Sequence, residues 1–207
     1  MSVYEPYEKQ TLSSSNDVHL SNGPLTFVMV PKCASSTINS YCNYLKFRRI
    51  RPNTDLSKPK PGTVFDLNAF LSGTTYLGVI RDPVDRWVSG MAQAFYLKEA
   101  VAERLATDIG PFIEDPWFDQ HQAPQAWFYR NIDNPVLYKI ENLEELMEWV
   151  CHEIGVDFPE ITNENVTSQE EQKQELHNAI KRQMTSEYEA ALRLFYADDS
   201  EMYRKAA

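Results

Sequence analysis

Lys32 opens a run, Lys32-Cys33-Ala34-Ser35-Ser36-Thr37, in which a cation is followed by small residues and hydroxyls. The apolar stretch Leu25 to Val30 precedes it. That stretch is rich in β-formers, is bounded by Pro24 and Pro31, and reads as a buried strand. Ile38 to Phe47 follows and reads as a helix. A strand, a tight loop and a helix in this order make a cradle for an anion. Backbone N–H groups, the helix N-terminus and the hydroxyls converge on it, and Lys32 adds a compact positive charge. Other readings compete. The Ser and Thr residues can simply cap the helix. The P-loop of a nucleotide hydrolase, G-x-x-x-x-G-K-[ST], fits poorly, because the run contains no glycine and its lysine comes first. Cys33 is either a nucleophile activated at a helix N-terminus or a small residue filling a turn. Filler is favoured, because the irregular loops offer a single histidine as its partner.

The rest of the chain narrows the classes. Its 207 residues suit one domain with a hydrophobic core. A formal net charge of −10 argues against nonspecific nucleic-acid binding. Yet Pro24 to Thr54 contains no acidic residue and carries Lys32, Lys46, Arg48, Arg49 and Arg51. That cluster is either a solvated face or an anion site. Cys33, Cys42 and Cys151 show neither a disulfide framework nor metal-ligand spacing, so no metal is expected and a reducing compartment is. No apolar run is long enough for a membrane helix, and the first residues lack the basic and apolar regions of a signal peptide. The expectation is a cytoplasmic protein with no membrane partner.

Residues 1–23 read as a mobile N-terminal arm and 24–207 as the folded domain. Pro52 to Gly62 reads as a surface loop, Phe65–Leu71 as a short helix and Thr75–Ile80 as a second buried strand. Asp82 and Pro83 then give a well-formed helix start, with Asp85 near the positive end of the dipole. Trp87, Met91 and Phe95, with Val101 and Leu105, supply one apolar face to that helix. Residues 110–125 read as irregular, and Pro135–Ile140 as a third strand. Asn142 with Glu145 reads as a capping box opening a helix to about Ile154. A long final helix from about Ser168 places Leu176, Ile180, Met184, Leu192 and Phe195 on one side. The fold class is α/β: a single domain with a mostly parallel sheet flanked by helices and a P-loop-like strand–loop–helix nucleotide site. Ligands in such sheets bind at the carboxyl ends of the strands.

Two segments resemble the sulfotransferases that use 3′-phosphoadenosine 5′-phosphosulfate (PAPS). Pro31-Lys32-Cys33-Ala34-Ser35-Ser36 is similar to the 5′-phosphosulfate loop P-K-[ST]-[GA]-[ST]-[ST], departing from it at Cys33. Arg81-Asp82-Pro83-Val84-Asp85-Arg86-Trp87-Val88-Ser89 resembles the 3′-phosphate motif R-[DN]-P-x-[DE]-R-x-x-S. The resemblance assigns Arg81 and Ser89 to the 3′-phosphate, where an arginine fork can make two charge-assisted hydrogen bonds. Arg86 either binds phosphate or holds the loop through an ion pair. Asp119-Gln120-His121-Gln122-Ala123-Pro124-Gln125 is similar to the D-x-H-x-x-P-Q segment of the carbohydrate sulfotransferases, whose histidine lies at the acceptor site. Leu137 to Leu143, Asn165-Val166-Thr167 and Tyr196 to Tyr203 are weaker echoes, Asn165 and Thr167 falling in an element that closes over the donor.

The resemblance implies a PAPS-dependent sulfotransferase acting on a hydroxyl-bearing acceptor, a carbohydrate for preference. His121 would be the base and Lys32 would neutralise the leaving oxygen. His121 is either that base or a loop histidine with no role. Among the other histidines, His19 falls in the arm, while His152 and His177 fall in helices. Asp119 either orients the imidazole or is solvated. The donor contacts would come from Lys32, Cys33, Ala34, Ser35, Ser36, Thr37, Arg81, Arg86, Ser89, Asn165 and Thr167. Two other classes stay open, a P-loop-type nucleotide kinase and a non-catalytic PAPS-binding module.

Overall fold

The computed structural model describes residues 19–50, 73–130, 132–159 and 168–207. Contacts group these residues into two compact units. The first, drawn from residues 13–81, 125–164 and 201–207, holds the sheet. Strands β1 (His19–Asn22), β2 (Leu25–Val28), β3 (Arg48–Ile50), β4 (Thr75–Ile80) and β5 (Val136–Lys139) are ordered β3-β1-β2-β4-β5. Helices α1 (Ser35–Tyr44), α5 (Gln125–Tyr129) and α6 (Leu143–Ile154) belong to the same unit. Phe27, Leu77, Val79 and Ile80 from the strands are buried, as are Ile38 and Cys42 from α1 and Leu146 and Val150 from α6.

The sheet is mixed, where the sequence led to a mostly parallel one. β2 pairs β4 and β4 pairs β5 in parallel, but β1 pairs both β2 and β3 antiparallel. β1 lies inside the segment read as an arm, and β3 follows the helix read as continuing to Phe47. Both strands are short and carry no strong apolar pattern, so their pairing defines them. Gly23 and Pro24 turn the β1–β2 hairpin, with Asn22 opposite Leu25. Gly23 takes φ 57°, which glycine adopts at little cost. His19, expected in the arm, is buried in the sheet with its ring edge toward Tyr76. The loop and short helix expected between 52 and 71 lie outside the described residues.

The second unit, drawn from residues 82–124 and 165–200, is helical. It contains α2 (Pro83–Phe95), α3 (Glu99–Thr107), α4 (Gly110–Glu114), α7 (Ser168–Gln183), α8 (Ser186–Phe195) and the first residues of α9 (Ala197–Lys205). Asp82 caps α2 as its sequence indicates, Oδ1 accepting from the N–H groups of Val84 at 3.0 Å and Asp85 at 3.2 Å. Trp87, Met91 and Phe95 fall on one buried face and pack with Leu105, Phe112, Phe118, Ile180 and Leu192. Val101 and Leu105 belong to α3, not to a continuation of α2. The long final helix is three helices. Thr185 leaves the helical region and its hydroxyl accepts from Tyr188 N–H, starting α8 afresh, and Phe195 ends exposed. The Asn142 capping box does not form, since Asn142 makes no side-chain cap. No described helix is long and apolar enough to cross a membrane.

Candidate active site

β2 and β4 are parallel neighbours with Val28 opposite Gly78, so the Pro31–Thr37 loop and Arg81 leave the sheet at the same end. The loop is coiled. Lys32 and Ala34 take φ of 66° and 55°, and left-handed residues of this kind turn successive N–H groups inward as an anion-binding nest. Ala34 is the N-cap of α1 and offers no side-chain cap. The reading of this run as simple helix capping therefore fails at the cap position. The first turn of α1 holds no acidic residue, leaving the positive end of its dipole uncompensated.

Gln125, the first residue of α5, ties this end of the sheet together. Its Oε1 accepts from Arg81 N–H at 2.9 Å, its Nε2 donates to the Arg81 carbonyl at 2.9 Å, and Oε1 also accepts from Cys33 Sγ at 3.1 Å. Cys33 is 1% exposed, in keeping with a residue that fills the turn. With the Arg81 main chain held, its half-buried guanidinium makes no ion pair among the described residues. Cys42, also buried, has its thiol pushed up to about 12 by desolvation, which makes it inert.

In the helical unit, α2 carries Arg86 and Ser89, and the 115–124 loop carries His121. Arg86 is 1% exposed and donates to the carbonyls of Ala123 at 2.6 Å and Gln120 at 3.4 Å. Of its two candidate roles, holding the loop is the one this geometry supports. Trp87 Nε1 donates to the Pro116 carbonyl at 2.9 Å, and Tyr196 Oη donates to the Gln122 carbonyl at 2.6 Å. At Gly90, beside half-buried Ser89, a Cβ would stand 2.5 Å from the His121 carbonyl, so glycine lets the loop lie directly on α2. Four hydrogen bonds to carbonyls and one close approach thus fix the backbone around one histidine.

His121 Nδ1 lies 3.0 Å from Asp119 Oδ1, and Asp119 also accepts the His121 backbone N–H at 2.7 Å. Burial would raise the Asp119 carboxyl. The His121 hydrogen bonds and charge, with Lys98 beyond, outweigh it and hold the group below its usual range. Asp119 therefore orients the imidazole and is not merely solvated. His152 is solvent-exposed. Asn165 and Thr167 lie outside the described residues. Among the described residues no group of three or more His, Cys, Asp or Glu is arranged to hold a metal.

Each unit thus gathers part of the candidate set: Lys32–Thr37 with Arg81 in the sheet unit, and Ser89, Arg86 and His121 in the helical one. Sequence reasoning missed Gln125, Gly90 and Tyr196. Gln125 and Tyr196 stand inside segments quoted for their resemblance, the one signal that could have marked them.

An α/β frame that sets a left-handed loop and a helix N-terminus beside an arginine, at the carboxyl ends of parallel strands, suits an anionic ligand. Residues 21–206 match the Sulfotransferase family, and the chain belongs to that family. It is a transferase of sulfuryl groups, and members of the family draw on PAPS for transfer to hydroxyl-bearing acceptors. No curated protein and no solved structure matches the chain significantly.

Proposed function

We infer that this chain transfers a sulfuryl group from PAPS to a hydroxyl of a carbohydrate. The observation that carries the reading is the pairing of an uncapped helix N-terminus with Arg81 at one end of β2 and β4, joined through Gln125. PAPS is anionic at both its 5′ and 3′ positions and needs two anion sites. In this reading the 32–37 loop takes the 5′-phosphosulfate, and Arg81 with Ser89 takes the 3′-phosphate. The same reading assigns Asn165 and Thr167, outside the described residues, to the donor.

The acceptor oxygen forms its bond to sulfur as the bond from sulfur to the 5′-phosphate oxygen breaks. Lys32 neutralises the charge that grows on that departing oxygen. His121 takes the acceptor's proton. With Nδ1 held by Asp119, the neutral imidazole presents Nε2 as the base. Most of the rate enhancement comes from positioning and electrostatics, as in phosphoryl transfer. Support for a carbohydrate comes from the His121 segment, and the absence of any acidic residue in α1, where other sulfotransferases carry a glutamate base, favours His121 as the base.

The test is a PAPS-supported assay offered an oligosaccharide, a tyrosine peptide and a small phenol, read by release of 3′-phosphoadenosine 5′-phosphate. Product on the oligosaccharide is expected. Turnover confined to the peptide or the phenol would overturn the acceptor class, and no turnover on any of them would overturn the transfer itself.

A further inference from the structure

Lys46, Arg48 and Arg49, part of the basic cluster in an otherwise acidic chain, take no part in the donor assignment. The structure puts them at the far end of α1. That helix begins at Ser35 beside the donor loop and ends at Tyr44, roughly 15 Å away at the usual helical rise. There the tip of the β1–β2 hairpin, the end of α1, the start of β3 and the end of α6 enclose a cavity of about 820 Å³. Ser21, Asn22, Tyr44, Lys46, Arg48 and Asp157 stand in its wall.

The wall is firm and its charge is lopsided. Asn22 Nδ2 donates to the Leu45 carbonyl at 3.0 Å, fastening the hairpin to the end of α1. Two cations stand against one carboxylate, and among the described residues neither Lys46 nor Arg48 is in an ion pair. Lys46 sits at φ 59°, a conformation that glycine or asparagine adopts more cheaply, so a lysine there is held at a cost in strain. Tyr44 is 62% exposed and offers an open aromatic face at the rim. A lone sulfate or phosphate would fill little of such a space, which lies in the range of about 300–1,000 Å³ typical of pockets for larger organic ligands.

We propose that this cavity is a second binding site, for an acidic saccharide. Sulfate or carboxylate groups pair with Lys46 and Arg48, a sugar ring lies on Tyr44, and ring hydroxyls meet Ser21 and Asn22. The anionic character follows from this unit's own residues, and only the choice of a saccharide rests on the acceptor class proposed above. For an enzyme whose acceptor is an acidic polymer, the site supplies a hold on the chain separate from the reacting hydroxyl.

Calorimetric titration of the full chain tests this, with three probes: a disulfated disaccharide, the same disaccharide without sulfates, and inorganic sulfate. The disulfated probe binds, and the other two bind at least about tenfold more weakly, as the loss of charge-assisted hydrogen bonds requires. The double variant Lys46→Gln, Arg48→Gln loses the disulfated probe by a similar factor, keeps its melting temperature, and binds 3′-phosphoadenosine 5′-phosphate like wild type. Equal affinity for sulfated and plain disaccharide, inorganic sulfate binding as tightly as the disaccharide, or undiminished binding by the double variant each overturns the proposal. Binding lost in His121→Ala but kept in the double variant assigns the sugar to the acceptor site and overturns it too. A failure of the sulfotransferase reading appears separately, in PAPS turnover, which these titrations do not use.

Discussion

Gln125 treats Arg81 as a neighbouring strand would, its side-chain amide exchanging two 2.9 Å hydrogen bonds with the Arg81 main-chain N–H and C=O. Arg81 lies just past the end of β4, where the ladder no longer supplies a partner. The amide extends the sheet by one residue and leaves the guanidinium free of that task. Because the same Oε1 takes the Cys33 thiol, one buried side chain sets both the arginine and the loop. Gln125→Ala should leave these groups unpaired at about 1–3 kcal/mol each. In a chain of this size that lowers the melting temperature by about 2–4 °C per kcal/mol. Affinity for 3′-phosphoadenosine 5′-phosphate should fall with it, while Cys33→Ser, which keeps a donor toward Gln125, should be mild. A variant that melts and binds nucleotide like wild type would refute the bridging role.

The donor assignment predicts a preference that thermal shift can read. 3′-Phosphoadenosine 5′-phosphate at about 100 times its dissociation constant should stabilise the chain by about 2.7 kcal/mol, and AMP far less. Arg81→Ala should cost roughly 1.5–3 kcal/mol of that binding, the worth of a charged hydrogen bond. Equal stabilisation by both nucleotides would remove Arg81 and Ser89 from the 3′-phosphate.

Lys32 is predicted to act on the rate more than on binding. Its proposed partner charge grows only as the sulfur–oxygen bond breaks, so Lys32→Ala should lower kcat by a larger factor than it lowers affinity for the product nucleotide. Steady-state kinetics set beside nucleotide titration separate the two. Unchanged turnover would end the leaving-group role.

His121→Ala should cut turnover by about 10²–10⁴-fold, the usual range for loss of a general base, with donor affinity near that of wild type. Near-full activity in His121→Ala would return the residue to an ordinary loop histidine and make Asp119, Glu114 and Asp115 the next to replace.

Asp119 links the same loop to stability. Its carboxyl titrates below the ordinary 3.8 in the folded chain, so the ionised form favours folding. The contribution is present above that ordinary value and is lost as the pH falls through the lower, folded value. Melting curves should therefore show Asp119→Asn less stable than wild type near pH 6, with the gap closing as the pH falls below the ordinary 3.8. A gap that stays constant over that range would mean the carboxylate charge does no work there.

What was legible in the sequence was local. β2, β4 and β5 announce themselves as apolar runs between turn residues, and Asp82-Pro83 announces α2, because buried strands and helix starts need particular residues at adjacent positions. The strand–loop–helix run at Lys32–Thr37 is read from its order of residue types for the same reason, and Arg81 from its resemblance to a family motif. β1 and β3 are not legible in this way. HLSN and RRI become strands only because a hairpin and an edge pairing supply their hydrogen bonds, and β-structure depends on distant partners more than on propensity. The final helix looked continuous because its apolar spacing persists, while the break at Thr185 is a capping decision made by a side chain that could equally have stayed helical. The buried polar groups were least legible of all. Arg86 could as well have met a phosphate as the carbonyls of Gln120 and Ala123, and nothing in the residue type of Gln125 says that it would complete a strand 44 residues away. A buried polar group takes whatever partner the packed chain brings within about 3 Å, because leaving it unpaired is costly, and only the tertiary structure brings that partner there.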